Sequence, residues 1–170
     1  ARIAAAAALA RQKKIDELEK WLRECKCSSF VKLLVHHSVI TKKDVKQQLS
    51  GLAMSTLLER VCSGCDEHVS SEEEEWNFAV AVQSLVPDSP MRFTESEMQV
   101  WEEPQVDRWL KQIGFPHSLD IIGENLVEAR QGSLKFVLKK IIRKKRLESS
   151  WETLEEQILK ARDEALGRSR

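Results

Sequence analysis

This chain of 170 residues has no tyrosine, and it is poor in the residues that form turns. It contains only six glycines and four prolines. Hairpins and β-barrels depend on frequent turn residues between β-branched or aromatic strands. Their shortage, together with 42% hydrophobic and 32% charged residues, argues against a β-rich fold and against a disordered chain. The composition predicts an all-α protein.

The sequence also lacks a long apolar run and a dense set of cysteines. The alanine-rich run at residues 4–10 is far shorter than the ~18 apolar residues of a membrane helix, so no membrane contact is expected. Four cysteines do not suggest a disulfide scaffold, which predicts a reducing intracellular location, nuclear or cytoplasmic. Because the chain begins at Ala1 rather than at methionine, we expect a piece of a longer protein.

A net charge of zero conceals three zones of opposite sign. Residues 1–61 carry a net charge of +6, residues 62–107 carry −11 and residues 108–170 carry +5. The acidic zone includes six acids within residues 66–75. It is either a solvated loop, an intramolecular partner of the basic zones or a surface for another molecule.

The motifs of the common enzyme classes are missing as well. The sequence has no glycine-rich phosphate loop and no H-E-x-x-H pair, and no base, orienting residue and nucleophile share a helical spacing. We therefore expect no enzyme activity, no catalytic residue and no cofactor.

The clearest signal present is the helix predicted within WEEPQVDRWLKQIGF, residues 101–115. Pro104 suits the first turn of a helix, and Gly114 suits the position just after its end. The intervening apolar residues fall at i, i+3, i+4 and i+7, which predicts one buried stripe. That stripe and the residue that follows Gly114 are our candidates for a partner-binding groove: Val106, Trp109, Leu110, Ile113 and Phe115.

Similar helical signals recur along the whole chain and predict a bundle of about eight helices. Three capping boxes are predicted, Ser71 with Glu74, Thr94 with Glu97 and Ser149 with Glu152. Further helices are expected over residues 117–125 and over residues 134–147, the latter capped by Gly132-Ser133. The proline-flanked residues 87–90 mark a boundary between an N-terminal bundle, 1–86, and a C-terminal subdomain, 91–170. The two either share one core or form separate small subdomains.

Residues 101–142 resemble a sterile alpha motif (SAM) domain. Members of this family begin with Trp, then Val, then Trp-Leu, then Ile-Gly and a bulky residue, which are here Trp101, Val106, Trp109-Leu110 and residues 113–115. Asn125 matches the next landmark, whereas residues 128–130 replace the family's Asp-Gly pair. The resemblance implies a SAM-like domain that pairs with itself or with partner proteins, or in a few members binds RNA hairpins.

Residues 30–61 resemble the N-terminal helical domain of transcription elongation factor S-II. That domain has apolar residues before a Thr-capped helix, then a glycine and a spaced leucine, matched here by residues 39–41, Gly51 and Leu57. This resemblance implies a nuclear module in transcription regulation that binds short disordered motifs of its partners.

The cysteines permit two interpretations. Cys62 and Cys65 form a C-x-x-C pair, and Cys25 with Cys27 would complete a zinc site of four thiolates. However, C-x-C is a poorer chelating pair, and Cys62 falls on the apolar side of its helix, where a thiol behaves as a small hydrophobe. We therefore predict metal-free thiols.

A basic run lies on the helix predicted over residues 135–146. Six of its side chains are candidates for contact with an anionic partner: Lys139, Lys140, Arg143, Lys144, Lys145 and Arg146. The run is a solvated helix face, a contact for the acidic zone, a nucleic-acid contact or an import signal.

The sequence as a whole predicts a non-catalytic scaffold module for protein–protein interaction. Its partner would be a helix or a short linear motif in an apolar groove, and self-association is open. The alternative is a nucleic-acid-associated module, in transcription or chromatin, that uses the basic helix.

Overall fold

The computed structural model describes residues 1–65, 68 and 70–168. It is all-α and 67% helical, with ten α-helices and no strand within those residues. The all-α prediction is therefore confirmed, although the number of helices is larger than the eight or so expected. Three of the ten have only five or six residues. The chain divides into two compact units, residues 1–91 and 92–170.

The first unit contains five α-helices and a 3₁₀ turn at Ser28–Phe30. The helices are α1 (Arg2–Glu24), α2 (Val31–His36), α3 (Lys42–Leu49), α4 (Met54–Cys62) and α5 (Glu72–Ser84). Each contributes an apolar face to one core, which includes Leu22, Phe30, Leu34, Val45 and Phe78. The rings of Phe30 and Phe78 stack with their centroids 4.3 Å apart. Helix α5 supplies buried residues on several sides, as its nearly continuous apolar sequence predicts.

Helix α1 has two different halves. Its C-terminal half buries Leu18, Trp21 and Leu22 in the core. Residues 2–14 are exposed along their whole length. Alanine has the highest intrinsic helix propensity, which accounts for helix in a segment that gains little from packing.

The second unit contains the other five helices. They are α6 (Glu95–Gln99), α7 (Glu103–Gln112), α8 (Gly123–Glu128), α9 (Lys135–Lys145) and α10 (Trp151–Leu166). Helix α8 packs against α6 and α7, and α9 packs against α10. The most buried large side chains of the unit include Trp109, Met98, Leu126 and Leu138.

Two of the three helix starts predicted from capping boxes are confirmed. Ser71 and Thr94 each accept a hydrogen bond from the backbone N–H three residues later, and Thr94 with Glu97 forms a complete capping box. The third predicted box is wrong by one residue. Ser150, rather than Ser149, starts α10 by accepting from the Thr153 N–H.

The helix predicted over residues 117–125 is wrong in position. Ser118 closes a local turn with Asp120, whose φ of 53° is left-handed, and helix begins only at Gly123. There the chain approaches α6 so closely that a Cβ on Gly123 would lie 1.8 Å from the Met98 carbonyl oxygen. Glycine is therefore required at the start of α8.

A buried charged pair connects α10 to the end of α8. The Arg162 guanidinium donates to the Asp163 carboxylate at 2.7 Å and to the carbonyl oxygens of Leu126 and Ala129. Both charged side chains are buried. These bonds offset the cost of burying the two charges, and removal of Asp163 would leave the Arg162 charge buried without an acid partner, whereas Asp163 also has Arg168 at 3.7 Å.

Candidate interaction surface

The structure places the predicted α7 stripe inside the second unit. Val106, Trp109, Leu110 and Phe115 are buried, and Trp109 is only 1% exposed. Ile113, at 36% exposed, is the one member of the set that reaches the surface. Four of the five candidate groove residues are thus core residues, so they do not line an open groove.

The predicted end of α7 explains how Phe115 enters the core. Gly114 has a φ of 94°, which is left-handed and suits glycine. The Gly114 N–H donates to the Lys111 carbonyl at 3.1 Å, and the Phe115 N–H donates to the Leu110 carbonyl at 2.8 Å. This pair of bonds is the Schellman motif, which turns the chain back over the last helical turn.

The basic face of α9 is open to solvent. Its inner side buries Leu138 and Ile141. All six predicted cationic side chains are exposed, five of them within α9 and one at the residue that follows it: Lys139, Lys140, Arg143, Lys144, Lys145 and Arg146. Within the residues that the structure describes, none of these six side chains forms a hydrogen bond or an ion pair. The face can therefore meet an anionic molecule.

An exposed aromatic ring adjoins this basic face. Phe136 is 82% exposed, and it precedes Lys139 and Lys140 by three and four residues, so the three share one side of the helix. Phe136 is not among the partner-binding residues predicted from the sequence. The signal was present, because Phe136 lies two residues before Leu138, about 200° away from the buried stripe.

The α9 surface is formed by Phe136 and the four cations on its side of the helix, with two more cations at the C-terminal end: Lys139, Lys140, Arg143 and Lys144, then Lys145 and Arg146. Aromatic residues and arginine are enriched in binding surfaces, and here the exposed Phe136 ring lies on the same side of α9 as Arg143. A single exposed apolar residue is ordinary, so the argument depends on the combination.

Helix α9 is held in place by α10 through a buried carboxylate. Glu155 is 3% exposed, and its two oxygens accept hydrogen bonds from the Gly132 N–H at 2.7 Å and the Leu134 N–H at 2.9 Å. The predicted cap by Gly132-Ser133 is wrong, because the Ser133 hydroxyl oxygen accepts from the Arg130 N–H instead. A carboxylate from another helix thus binds two N–H donors of the turn that precedes α9.

A second contact fixes the same end of α9. The ammonium nitrogen of Lys135 lies 5.5 Å from the centre of the Trp151 ring, within the range of a cation–π interaction. Lys135 is half-buried, whereas the cations further along the helix are exposed.

The four cysteines lie in the first unit as free thiols. Cys27 is fully buried, and Cys62 packs against the core, as its position on the apolar side of α4 predicts. Burial raises the pKa of the Cys27 thiol to about 12 and raises the pKa values of Cys25 and Cys62. Metal binding requires thiolates. No group of three or more potential ligands occurs within the described residues, which include all four cysteines.

The first unit also has an open pocket of about 990 Å³ beside α2. It is lined by Lys26, Ser29, Lys32, His36, His68 and Glu74, among others. The Ser29 hydroxyl donates to the Glu74 carboxylate, which holds the start of α5 to the 3₁₀ turn. His37 anchors α2 to α4 through the Val61 carbonyl at 3.1 Å. Both contacts therefore join elements of the first unit to one another.

The acidic zone is described only in part. Asp66, Glu67 and Val69 lie outside the described residues. The other four acids of residues 66–75, at positions 72–75, form the first turn of α5, where negative charge interacts favourably with the helix dipole. The position of these acids at the start of α5 thus accounts for their clustering.

Comparisons with known proteins add no family to these observations: no protein-family model, curated protein or solved structure matches the chain. None of the helices in residues 1–65 and 70–168 combines the length and the apolar character of a membrane span.

Proposed function

We propose that the chain is a non-catalytic protein-interaction module whose second unit binds an acidic segment of a partner protein through the α9 surface. The observation that carries the proposal is the exposure of Phe136 beside four exposed cations on the same side of α9, with two more cations at the C-terminal end of the helix. The chemistry of the surface sets the chemistry of the partner, which would offer carboxylates and one apolar side chain.

The two parts of the surface have different roles in this proposal. Exposed charge pairs are each worth only ~0–1 kcal/mol, but they accelerate encounter and select against basic partners. The Phe136 ring provides the apolar contact that such pairs lack, since interface energy concentrates in a few aromatic or arginine anchors. An acidic helix or short linear motif with one apolar anchor fits both roles.

The near-zero net charge of the second unit favours a protein partner over nucleic acid. Residues 92–170 contain fifteen Lys/Arg and fourteen Asp/Glu, so the positive charge of α9 is local. Domains that bind nucleic acid generally carry a net positive charge along an extended face. The resemblance of residues 101–142 to SAM domains also implies association with proteins, including other copies of the chain.

Nucleic-acid binding is the second candidate, and the α9 surface supports it too. The cations can contact phosphates, and the exposed Phe136 ring can stack on an unpaired base. The dependence of binding affinity on salt concentration distinguishes the two candidate functions. Neutralising six phosphates of duplex DNA would give a slope of roughly −5 in a plot of log affinity against log salt, whereas a protein contact with an apolar anchor depends less on salt.

The proposed function is tested by selecting peptides from a displayed random library on the full chain. We expect enriched peptides with several Asp or Glu residues around one Leu, Phe or Trp. Their binding should fall for Phe136→Ser and for the double variant Lys139→Glu, Lys140→Glu. Matched controls in the same unit are Val100→Ser, which alters another exposed apolar side chain, and Lys111→Glu with Lys160→Glu.

Two results would contradict the proposal. One is peptide binding that is equal for the α9 variants and their controls. The other is tight binding of a mixed-sequence duplex or an RNA hairpin with a steep salt dependence, in the absence of peptide binding, which would favour the nucleic-acid candidate.

A further inference from the structure

We propose that Ser149 is a phosphorylation site for a protein kinase that selects basic sequences, and that its phosphate weakens partner binding at the α9 surface. The second half of this inference rests on the proposed function, whereas the first half does not.

The segment that carries Ser149 is accessible. Helix α9 ends where Arg146 adopts a left-handed φ of 53° and the Leu147 N–H donates to the Ile142 carbonyl at 3.0 Å. Residues 148–150 are exposed and irregular, and α10 begins at Trp151. Loops of this kind are where chains tolerate local opening and modification.

The two adjacent serines differ in availability. Ser150 caps α10: its hydroxyl oxygen accepts from the Thr153 N–H at 3.3 Å and lies 2.9 Å from the Thr153 hydroxyl. Within the described residues the Ser149 side chain makes no hydrogen bond. Modification of Ser149 therefore leaves the cap intact, whereas modification of Ser150 would remove it.

The residues before Ser149 match the charge preference of a basic-directed kinase. Arg146 stands three residues before Ser149, and three further cations precede it directly: Arg143, Lys144 and Lys145. Kinases distinguish substrates partly by such charge patterns, which fit acidic grooves on the enzyme.

Two other serines have an arginine at the same spacing, and the structure distinguishes them. Ser133 follows Arg130, but its hydroxyl oxygen accepts a hydrogen bond from the Arg130 N–H. Ser63 follows Arg60, whose guanidinium donates to the Gln48 carbonyl at 3.3 Å. Neither has a run of cations before it, so Ser149 is the preferred acceptor.

The transfer itself uses ATP as the phosphoryl donor. The Ser149 oxygen attacks the γ-phosphorus, the bond from that phosphorus to the bridging oxygen breaks, and ADP leaves. The hydroxyl proton passes to the catalytic base of the kinase. The product is a phosphoserine with a charge of about −1.5 to −2 at neutral pH.

A phosphate at this position acts on α9 without disrupting α10. It precedes the first turn of α10, where negative charge is favourable. It also stands three residues from Arg146, at the basic end of the α9 surface, and offsets part of that charge. An acidic partner segment would then meet less positive charge, and its affinity would fall by roughly fivefold or more, the lower end of couplings between two sites.

The modification is tested on the full chain with ATP and a purified basic-directed serine kinase, such as the catalytic subunit of the cyclic-AMP-dependent enzyme. Mass spectrometry of digested protein should place the first phosphate on Ser149. Ser149→Ala should abolish that addition, Arg146→Gln should slow it, and Ser133→Ala should not affect it. Addition first at Ser63, Ser133 or Ser150, or no addition at all, would overturn the assignment.

The switch is tested with an acidic peptide selected on the unmodified chain. Phosphorylated wild type should bind it more weakly than the unmodified chain, and kinase-treated Ser149→Ala should bind it unchanged. Equal affinity before and after phosphorylation would refute the switch. If the unmodified chain binds no acidic peptide, the proposed function fails instead, and the site assignment is still decided by the mass measurement.

Discussion

Helices α7 and α9 of the second unit are both amphipathic, and each carries one aromatic residue, yet the two rings have opposite environments. In α7, Trp109 lies in phase with Val106 and Leu110 and is 1% exposed. In α9, Phe136 lies out of phase with Leu138 and Ile141 and is 82% exposed. The apolar period of a helix therefore identifies its core side, and an aromatic residue outside that period is the better indicator of a binding surface.

The two helices should also differ in what they contribute, α7 to stability and α9 to partner binding. Substitutions on the α7 stripe should change the free energy of unfolding, whereas substitutions on the α9 surface should leave it nearly unchanged and alter binding. We expect substitutions on the two helices to show this difference, from a large loss of stability at Trp109 to almost none at Phe136.

Trp109→Ala should lower the free energy of unfolding by roughly 3–5 kcal/mol, because it removes a fully buried aromatic side chain and leaves a cavity. A denaturant titration followed by circular dichroism measures the change. Trp151→Ala is a useful control, since Trp151 is only half-buried and should lose less. An unchanged midpoint for Trp109→Ala would place the α7 stripe outside the core.

Glu155→Gln should destabilise the second unit by about 1–3 kcal/mol, because an amide offers a single acceptor oxygen to the two N–H donors that the carboxylate satisfies. Glu164→Gln, on an exposed position of the same helix, is the matched control and should have little effect. Thermal unfolding measures both variants. Equal behaviour of the two would show that the carboxylate does not fix the start of α9.

The double variant Lys139→Glu, Lys140→Glu should change the free energy of unfolding by less than about 1 kcal/mol, since both side chains are exposed. Binding of an acidic peptide should nevertheless be lost, because two attractive contacts become repulsive. A large loss of stability would mean that these side chains contribute to the fold.

Phe136→Ser should have the smallest effect on stability, within roughly 0.5 kcal/mol, because the ring contributes little to the core from an exposed position. Differential scanning fluorimetry of this variant beside Val100→Ser, which alters another exposed apolar side chain, measures it. A marked fall in melting temperature for Phe136→Ser alone would contradict the exposed placement.

Much of the fold could be predicted from local sequence signals. The starts of α5 and α6 depend on a serine or threonine that bonds the backbone three residues later, so Ser71 and Thr94 identify them directly. The end of α7 follows from Gly114 in the same way. These interactions act within a few residues, which is the range that a sequence pattern can report.

Other features could not be predicted, because they depend on residues that are distant in the sequence. The turn before α9 is fixed by Glu155, which follows Leu134 by 21 residues. The start of α8 depends on the approach of Gly123 to Met98 in α6. The spacing predicts that the α7 stripe is buried, and it is, but the pattern does not identify whether the core of the unit or a partner packs on it. Phe136 could have been found from its phase alone.

The central claim, that partners bind on α9 and not on α7, is tested most directly by mapping a bound acidic peptide on the isotope-labelled full chain by nuclear magnetic resonance. We expect the amide signals of residues 135–146 to shift during the titration and those of the buried α7 residues, Val106, Trp109 and Leu110, to stay unchanged. Shifts confined to α7 or to the first unit, with α9 unaffected, would contradict it.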